Sequence, residues 1–348
     1  MGGEGNPAPL EGRFFSAMAG LCPGWPGGRY VCAFSGGGDS TALLALLAAF
    51  LPAERLLAAH LDHGLREGSG LEAQAAAETA GSLGVRCVLG RAGVADLARE
   101  RGKGLEEAAR SARYRFLARV SREWPGDWVV TAHQAEDQAE TVIMKLARGA
   151  GPGALVGIGA RAALGDGATV VRPLLGESRP GLMAYLAERG LGFVTDPSNR
   201  DERFGRNLVR RRILPELERL NPAYLAAFGR AAAIAAGEEE FWEAHLDALM
   251  ARLGFKGDRG WYAVLAEGLA GLGPAERRRV LGRLMRLVRA DKPGGGEPVS
   301  LAGVEAAMAF LENPGAGGLD VPGGRRVELR GRYAYVGPAS RLGAKKGG

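Results

Sequence analysis

The segment Ser35–Ser40 reads Ser-Gly-Gly-Gly-Asp-Ser and lies between an apolar, β-rich run and a long apolar helix that we predict to end near Leu51. A glycine-rich turn in this position lets backbone N–H groups point at a phosphate, and the helix N-terminus adds partial positive charge. The segment therefore predicts a phosphate-binding loop. The alternative is an ordinary strand-to-helix turn with Asp39 or Ser40 as the N-cap.

This loop lacks the residues that define two common nucleotide-binding sites. No Lys follows the glycines, as it does in G-x-x-x-x-G-K-[ST], and the glycine spacing differs from G-x-G-x-x-G. Transfer of a γ-phosphate, as in a kinase, is therefore disfavoured, and so is dinucleotide binding.

Three polar side chains, His133, Asp137 and Glu140, follow a predicted strand over residues 127–132. Their spacing places them on one helix face at the carboxyl end of that strand, where they would face a nucleotide crevice. The alternative is that the two acids only complement the helix dipole and cap free N–H groups.

Arg110 and Arg113 are separated by less than one helical turn, and Glu106 precedes Arg110 by about one turn. A solvated, salt-bridged helix would have this pattern. Alternatively, the planar guanidinium of Arg113 clamps a phosphate or a carboxylate, because its fork of donors matches both groups.

His60 and His63 flank Asp62 at the end of another predicted strand, residues 56–61. No Cys or third His stands near them in the sequence, so the pattern does not predict a zinc site. We expect Asp62 and His63 to line an adenosine pocket.

These residues need a scaffold that brings them together. Parallel neighbouring strands require crossover connections, so alternating strands and helices predict an α/β fold with a doubly wound parallel sheet. Functional residues should then lie at the carboxyl ends of the strands. We predict strands at 29–34, 56–61, 85–89 and 127–132, with helices after Ser40 and at 70–83, 105–124 and 136–148.

The chain is predicted to hold two domains after a disordered tail over residues 1–12. The sheet domain, 13–220, contains the glycine-rich stretch 149–153, a candidate mobile flap. A second, smaller and mainly helical domain follows over residues 221–348, and we predict a terminal hairpin with a glycine-rich turn within it.

Composition limits the class of protein. With 348 residues, of which 46% are hydrophobic, the chain can bury a full α/β core and a second, smaller one. Lys and Arg exceed Asp and Glu by 45 to 39, but a GC-rich genome would also enrich Arg. Cys22, Cys32 and Cys87 show no C-x-x-C spacing. Apolar stretches are too short to span a bilayer, so we expect a soluble, cytoplasmic protein.

The loop Ser35–Ser40 resembles the SGGxDS loop of the PP-loop ATP pyrophosphatases, also called N-type. Members of that superfamily split ATP between the α and β phosphates and adenylate a substrate oxygen. The resemblance implies ATP and Mg²⁺ as cofactors, with Asp39 acting on the Mg²⁺. It also implies that the pyrophosphate portion is held by Ser35, Gly36, Gly37, Gly38 and Ser40.

Further segments are similar to those of tRNA(Ile)-lysidine synthetases and occur in the expected order. The resemblance covers residues 29–215, and one departure is Glu136, where the family pattern has Asp. The matching segments are His60–Arg66, Glu107–Leu117, Ala132–Thr141, Ser198–Asn199 and Phe204–Arg210.

This resemblance implies ligation of free L-lysine to carbon 2 of the wobble cytidine in the CAU anticodon of isoleucine tRNA, through an adenylated tRNA intermediate. Asp137, Arg113 and His133 are our candidates for catalysis, with Asp137 orienting the cytosine or accepting a proton. Contacts to lysine or tRNA are expected from Glu140, Arg206 and Asn207. The resemblance also implies that residues 13–220 form the ATP-dependent adenylation domain and that residues 221–348 form a C-terminal tRNA-binding domain.

Arginines cluster within residues 203–212 and again within residues 277–289. In the second cluster, Arg279, Arg283 and Arg286 share one face of an amphipathic helix. Contact with the tRNA backbone is one interpretation of this face, and a solvated helix surface is the other.

Two other functions remain open. A PP-loop tRNA thiolase would share the loop and the adenylation step, but such enzymes generally deliver sulfur through paired cysteines or an iron-sulfur cluster, and the three cysteines offer no paired motif. A non-catalytic nucleotide sensor would need the loop but not the face that carries Asp137. The oligomeric state is also open, with a homodimer as one alternative.

Overall fold

The computed structural model of the protein describes residues 9–64, 69–102, 104–165, 167–194, 205–288, 299–314 and 317–339. The chain divides into two compact units. The first consists of Met1–Met144 and Leu155–Ala233, and the second of Lys145–Ala154 and Ile234–Gly348.

Six strands form one sheet in the first unit: β1 (Tyr30–Ala33), β2 (Leu56–Asp62), β3 (Arg86–Arg91), β4 (Trp128–Val130), β5 (Arg161–Gly165) and β6 (Ala168–Val171). Their order is β3-β2-β1-β4-β6-β5. The pairs from β3 through to β6 are parallel, and β5 joins the edge in antiparallel orientation. The doubly wound parallel sheet is thus confirmed, and the antiparallel edge strand is an addition.

The helices of this unit lie on both faces of the sheet. Tyr30 and Cys32 of β1 belong to a core on one side of the sheet, whereas Val31 belongs to the core on the other side. These helices are α1 (Leu10–Leu21), α2 (Gly38–Phe50), α3 (Ser69–Ser82), α4 (Val94–Arg101), α5 (Leu105–Glu123), α6 (Ala135–Ala147), α7 (Arg179–Glu188), α8 (Gly205–Leu208) and α9 (Leu214–Leu220). α2 packs in the first core and α5 in the second. Most residues of α2 are buried, and its side chains are accordingly apolar on nearly all sides.

One prediction of local structure was wrong, and one helix was not predicted. α1 begins at Leu10, so residues 10–12 are not part of a disordered tail; residues 1–8 lie outside the described residues. The short, charged helix α4 was missed; it is stabilised by the packing of Val94 and Ala98 against α5 rather than by its own propensity.

The boundary between the two units follows Ala233 rather than lying near residue 220. A small apolar cluster joins Tyr224, at the start of α10 (Tyr224–Arg252), to Ala139 of α6 and Leu214 of α9. This packing keeps the first turns of α10 in the first unit. Residues 145–154, which include the candidate flap, belong to the second unit instead of the first.

The second unit combines helices with a five-stranded antiparallel sheet. Its other helices are α11 (Ala266–Ala270), α12 (Pro274–Leu287) and α13 (Leu301–Glu312). The strands are β7 (Lys256–Asp258), β8 (Trp261–Leu265), β9 (Leu319–Val321), β10 (Arg325–Arg330) and β11 (Tyr333–Pro338), in the order β7-β8-β11-β10-β9. The terminal hairpin is confirmed, but β7 and β8 were missed. The short apolar run of β8 cannot be told from helix by periodicity, and the exposed Lys-Gly-Asp of β7 carries no apolar pattern.

Candidate active site

A cavity of about 240 Å³ opens at the carboxyl ends of β1 and β4, within the first unit. At this point the chain order of the parallel sheet reverses, which is where open α/β sheets bind their ligands. The lining includes Phe34, Ser35, Asp39, Ser40, Ala59, Leu61, His63, Arg110, Arg113, Tyr114, Thr131, His133, Asp137 and Arg206.

The loop from Ser35 to Ser40 leaves the N-terminus of α2 open to a ligand. The N-cap is Gly37, which makes no side-chain cap bond, so neither Asp39 nor Ser40 caps the helix as the alternative required. The hydroxyl of Ser40 instead donates to the Gly37 carbonyl at 2.9 Å and accepts from the Ser35 N–H at 3.1 Å. The N–H groups of the first helical turn therefore remain available for an anion.

Two glycines of this loop have surroundings that limit substitution. Gly36 has φ +81°, a backbone conformation that side-chain-bearing residues rarely adopt. A Cβ on Gly38 would lie 2.7 Å from Cε of Met183, which packs against the start of α2 from α7. The loop is therefore held close to α7 as well as to the cavity.

Asp39 has one engaged carboxylate oxygen and one unengaged oxygen. Its Oδ2 accepts from Arg179 at 3.3 Å, whereas Oδ1 is buried without a hydrogen-bond partner among the described residues. Burial raises the pKa of Asp39, against the opposing effect of Arg179. A buried carboxylate oxygen without a partner, beside a phosphate loop, fits a Mg²⁺ ligand.

Asp137 and Glu140 form a four-residue ion cluster with Arg206 and Arg210. Arg206 and Arg210 each donate through Nε to Glu140 at 2.6 Å, and they reach Asp137 Oδ1 at 3.0 and 3.2 Å respectively. Asp137 Oδ2 also accepts from the Gln134 N–H at the start of α6. Of the predicted face, His133 and Asp137 line the cavity, whereas Glu140 is fully buried and is not part of the lining. The two acids do more than cap the helix, although Asp137 also accepts a capping bond.

His133 is held as a neutral imidazole. Its Nδ1 lies 2.9 Å from the Thr131 hydroxyl. Burial lowers the pKa of His133 to about 3; Asp137 opposes this shift, and the guanidinium groups of Arg172 and Arg113 add to it. His63, also on the cavity wall, has a buried Nδ1 that no described residue contacts by a hydrogen bond, and burial lowers its pKa too.

Arg113 presents a free guanidinium to the cavity. Within the described ranges it forms no hydrogen bond or ion pair, and Arg110 lies over the ring of Tyr114 at 4.8 Å rather than against an acid. The salt-bridged helix that was the alternative for Arg110 and Arg113 is therefore not what the structure shows. A free guanidinium in a polar cavity fits an anionic ligand group.

Several predicted site residues do not line the cavity. The carboxylate of Asp62 accepts from the Gly64 N–H at 2.8 Å and lies 3.6 Å from Arg91, so Asp62 shapes the turn after β2. Asn207 lies in α8 beside Arg206. The segments Arg66, Ser198–Asn199 and Phe204 fall outside the described residues.

The basic face of α12 is occupied by ion pairs with α10, in the second unit. Arg279 contacts Glu239 at 2.6 Å, and Arg283 contacts Asp247 at 2.6 Å. Arg286 lies 3.6 Å from Glu243. Contact of these arginines with RNA would therefore have to displace an acidic partner.

The sequence did not identify other polar residues of the site. Tyr114 lines the cavity and its hydroxyl accepts from Arg172 at 3.2 Å, while Arg179 pairs with Asp39. Glu136 binds the first N–H of α7, at Arg179, which gives this departure from the family pattern a structural role. These contacts join segments distant in sequence, so no local pattern could have revealed them.

The class of protein follows from the fold and from this cavity. Residues 18–217 match the PP-loop domain family. The solved structure of the U34-tRNA thiolase NcsA from Methanococcus maripaludis, with its 4Fe-4S cluster, has a TM-score of 0.53 and 16% identity, covering 64% of this chain and 77% of that one. At this identity the likeness shows the fold alone.

Relatives in sequence define the family more narrowly. The tRNA(Ile)-lysidine synthase of Methylobacterium nodulans is 42% identical and covers 77% of each chain, and that of Salinispora arenicola is 39% identical and covers 89% of this chain and 91% of its own. The Thermus thermophilus enzyme is 41% identical, but this chain spans 41% of its length. The chain belongs to the tRNA(Ile)-lysidine synthase family.

None of the helices in the described part of the chain is both long and apolar enough to cross a membrane.

Proposed function

We propose that the protein uses ATP to ligate lysine to carbon 2 of the wobble cytidine in the CAU anticodon of isoleucine tRNA. Family membership supports the reaction class. The observation that carries the proposal is that one cavity unites the open N-terminus of α2 with His133, Asp137 and the free guanidinium of Arg113.

In the first step, the cytosine O2 attacks the α-phosphorus of ATP and the bond to pyrophosphate breaks. The N–H groups at the start of α2 stabilise the negative charge that develops on pyrophosphate. The apolar surface of Phe34, Ala59 and Leu61 suits the adenine ring. Asp39 would hold Mg²⁺, which neutralises phosphate charge when it is bound.

In the second step, the ε-amine of lysine attacks carbon 2 of the adenylated cytidine and AMP leaves. The amine must first lose its proton, and Asp137 is our candidate to orient the substrate or accept that proton. This role requires Arg206 and Arg210 to release Asp137 Oδ1, which both contact. A substrate phosphate is a suitable new partner for either guanidinium.

His133 and Arg113 complete the set with different roles. A pKa near 3 leaves His133 neutral, so it suits a hydrogen bond to the base better than proton abstraction near pH 7. Arg113 pairs with a substrate carboxylate or phosphate.

The test is incubation of the protein with radiolabelled lysine, ATP, Mg²⁺ and either isoleucine tRNA with a CAU anticodon or methionine tRNA with the same anticodon. Incorporation into the isoleucine tRNA alone is expected. Cleavage of ATP to AMP with tRNA present, but without lysine incorporation, would keep the adenylation chemistry and refute lysine as the acceptor substrate.

A thiolase activity has less support from this chain. Cys22 and Cys32 are buried, and burial raises the pKa of Cys22 to about 12 and that of Cys87 to about 11. Such thiols are poor nucleophiles near neutral pH. Replacement of all three by Ser should leave nucleoside modification intact.

A further inference from the structure

The five-stranded sheet of the second unit has one face outside the core. Val264 of β8 and Ala334 and Val336 of β11 are fully buried in the core cluster of this unit. Because side chains alternate along a strand, Trp261, Tyr333 and Tyr335 point to the opposite face. Three aromatic rings therefore share the outer face of the sheet, and each is partly exposed.

Two of these rings hold a guanidinium between them. Any Cβ on Gly337 would collide with the ring of Trp261, so the indole lies directly on the backbone of β11. The guanidinium carbon of Arg330 is 4.7 Å from the centroid of Trp261 and 5.5 Å from that of Tyr335. Arg330 also pairs with Glu328 and remains 56% exposed. The guanidinium that lies over these two rings is therefore accessible to solvent.

The third ring is surrounded by positive charge. Lys256 Nζ lies 4.3 Å from the centroid of Tyr333, and the guanidinium carbon of Arg332 lies 5.6 Å from it. Neither cation has an ion-pair partner among the residues that the structure describes, whereas the α12 arginines are paired with acids. Unneutralised cations beside exposed aromatic rings are the features that bind single-stranded nucleic acid.

We propose that this aromatic face, formed by Lys256, Trp261, Arg330, Arg332, Tyr333 and Tyr335, binds unpaired nucleotides of the tRNA. Bases stack on the exposed rings and on the Arg330 guanidinium, and Lys256 and Arg332 contact the backbone phosphates. The inference rests on the proposed function for its RNA partner. It adds a binding surface that is separate from the cavity residues.

Alternatively, these cation–π contacts have only a structural role and cover an exposed face of the sheet. The two roles differ in one consequence. Structural contacts contribute to stability alone, whereas a nucleotide-binding face also changes the affinity for RNA and its dependence on salt.

The experiment uses the full chain, an unmodified isoleucine tRNA transcript and a short single-stranded oligoribonucleotide. We expect the double variant Trp261→Ala/Tyr335→Ala to bind both RNAs roughly 10-fold or more weakly. Trp261→Phe, which keeps a ring, should retain most of the affinity but lose the quenching of tryptophan fluorescence on binding. Leu329→Ala, on the neighbouring strand beside Arg330, is the matched control and should bind normally.

A second variant keeps the test independent of folding. Lys256→Ala/Arg332→Ala changes two exposed side chains, and it should lower the log-log salt slope of oligoribonucleotide binding by about 0.7 for each phosphate that the protein no longer neutralises. Unchanged affinity in the aromatic variant together with an unchanged slope in the basic variant would overturn the proposal. Lysine incorporation by the unaltered protein is scored separately, so loss of the proposed function and loss of this surface are distinguishable.

Discussion

Arg206 donates from its Nε to the Glu140 carboxylate at 2.6 Å, and Glu140 is fully buried. Arg210 makes the equivalent bond to the other Glu140 oxygen, and Asp137 supplies the second negative charge. Two cations and two anions thus balance within one cluster, of which Asp137 and Arg206 line the cavity. If one arginine turns to a substrate phosphate, the other must compensate the negative charge of Glu140. Substrate binding is therefore coupled to the arrangement of the ion cluster.

Replacement of Glu140 by Gln should therefore destabilise the fold. The change preserves shape but leaves two guanidinium groups facing one carboxylate, and loss of one partner from a buried pair costs about 3 to 5 kcal/mol. Partial exposure of Arg206, 31% of its side chain, reduces our expectation to about 2 to 3 kcal/mol. Urea unfolding measures the difference, with the exposed Glu106→Gln as control; equal midpoints for the two variants would contradict a structural role of the cluster.

Gly38→Ala should impair ATP binding through steric contact rather than backbone strain. The new methyl group would meet the end of Met183, and overpacking of this kind costs about 1 to 3 kcal/mol. Since Met183 is a flexible side chain, Met183→Ala in the same protein should restore much of the affinity. Nucleotide binding by calorimetry checks this, and Gly20→Ala, where a methyl group meets nothing within 4 Å, is the control. If the double variant binds nucleotide no better than Gly38→Ala, the contact with Met183 is not the cause of the weaker binding.

The sequence predicted the parts of the fold that depend on local pattern. The strand, glycine-rich turn and helix around Ser35–Ser40 follow from apolar runs and turn residues, and the face of His133, Asp137 and Glu140 follows from helical spacing. The residues that contact them could not be predicted from such patterns. Arg179 reaches Asp39 and Arg210 reaches Glu140 through tertiary contacts between segments far apart in sequence, which no spacing rule encodes.

The charge clusters show a related limit of sequence-based prediction. The amphipathic pattern of α12 predicts that Val280, Leu284 and Leu287 pack inward; the first two are buried, whereas Leu287 is 36% exposed. It could not show that α10 places Glu239, Asp247 and Glu243 opposite the arginines, since either a solvated or an ion-paired face has the same sequence.

His133 should make stability depend on pH. Its pKa in the folded protein, about 3, lies below the ordinary value of 6.5, so the unfolded chain binds the proton more readily between these values. Stability from this group is therefore fully present above about pH 6.5 and is lost as the pH falls toward 3, by at most about 1.4 kcal/mol per pH unit. Comparison of urea midpoints for the parent and His133→Gln from pH 7 to 4 measures the effect, and parallel curves would contradict it.

The ion pair of Arg279 with Glu239 separates a structural from an RNA-binding role for α12. Arg279→Glu places two carboxylates together and should lower stability by about 1 to 2 kcal/mol, whereas the charge-swapped Arg279→Glu/Glu239→Arg should recover most of it. Because the native charge is already compensated, we expect the swap to leave the salt dependence of tRNA binding unchanged. A fall in the log-log slope by about 0.7 to 0.9 would instead show that Arg279 gives up its acidic partner to bind a phosphate, since each phosphate that is no longer neutralised reduces counterion release by about that amount.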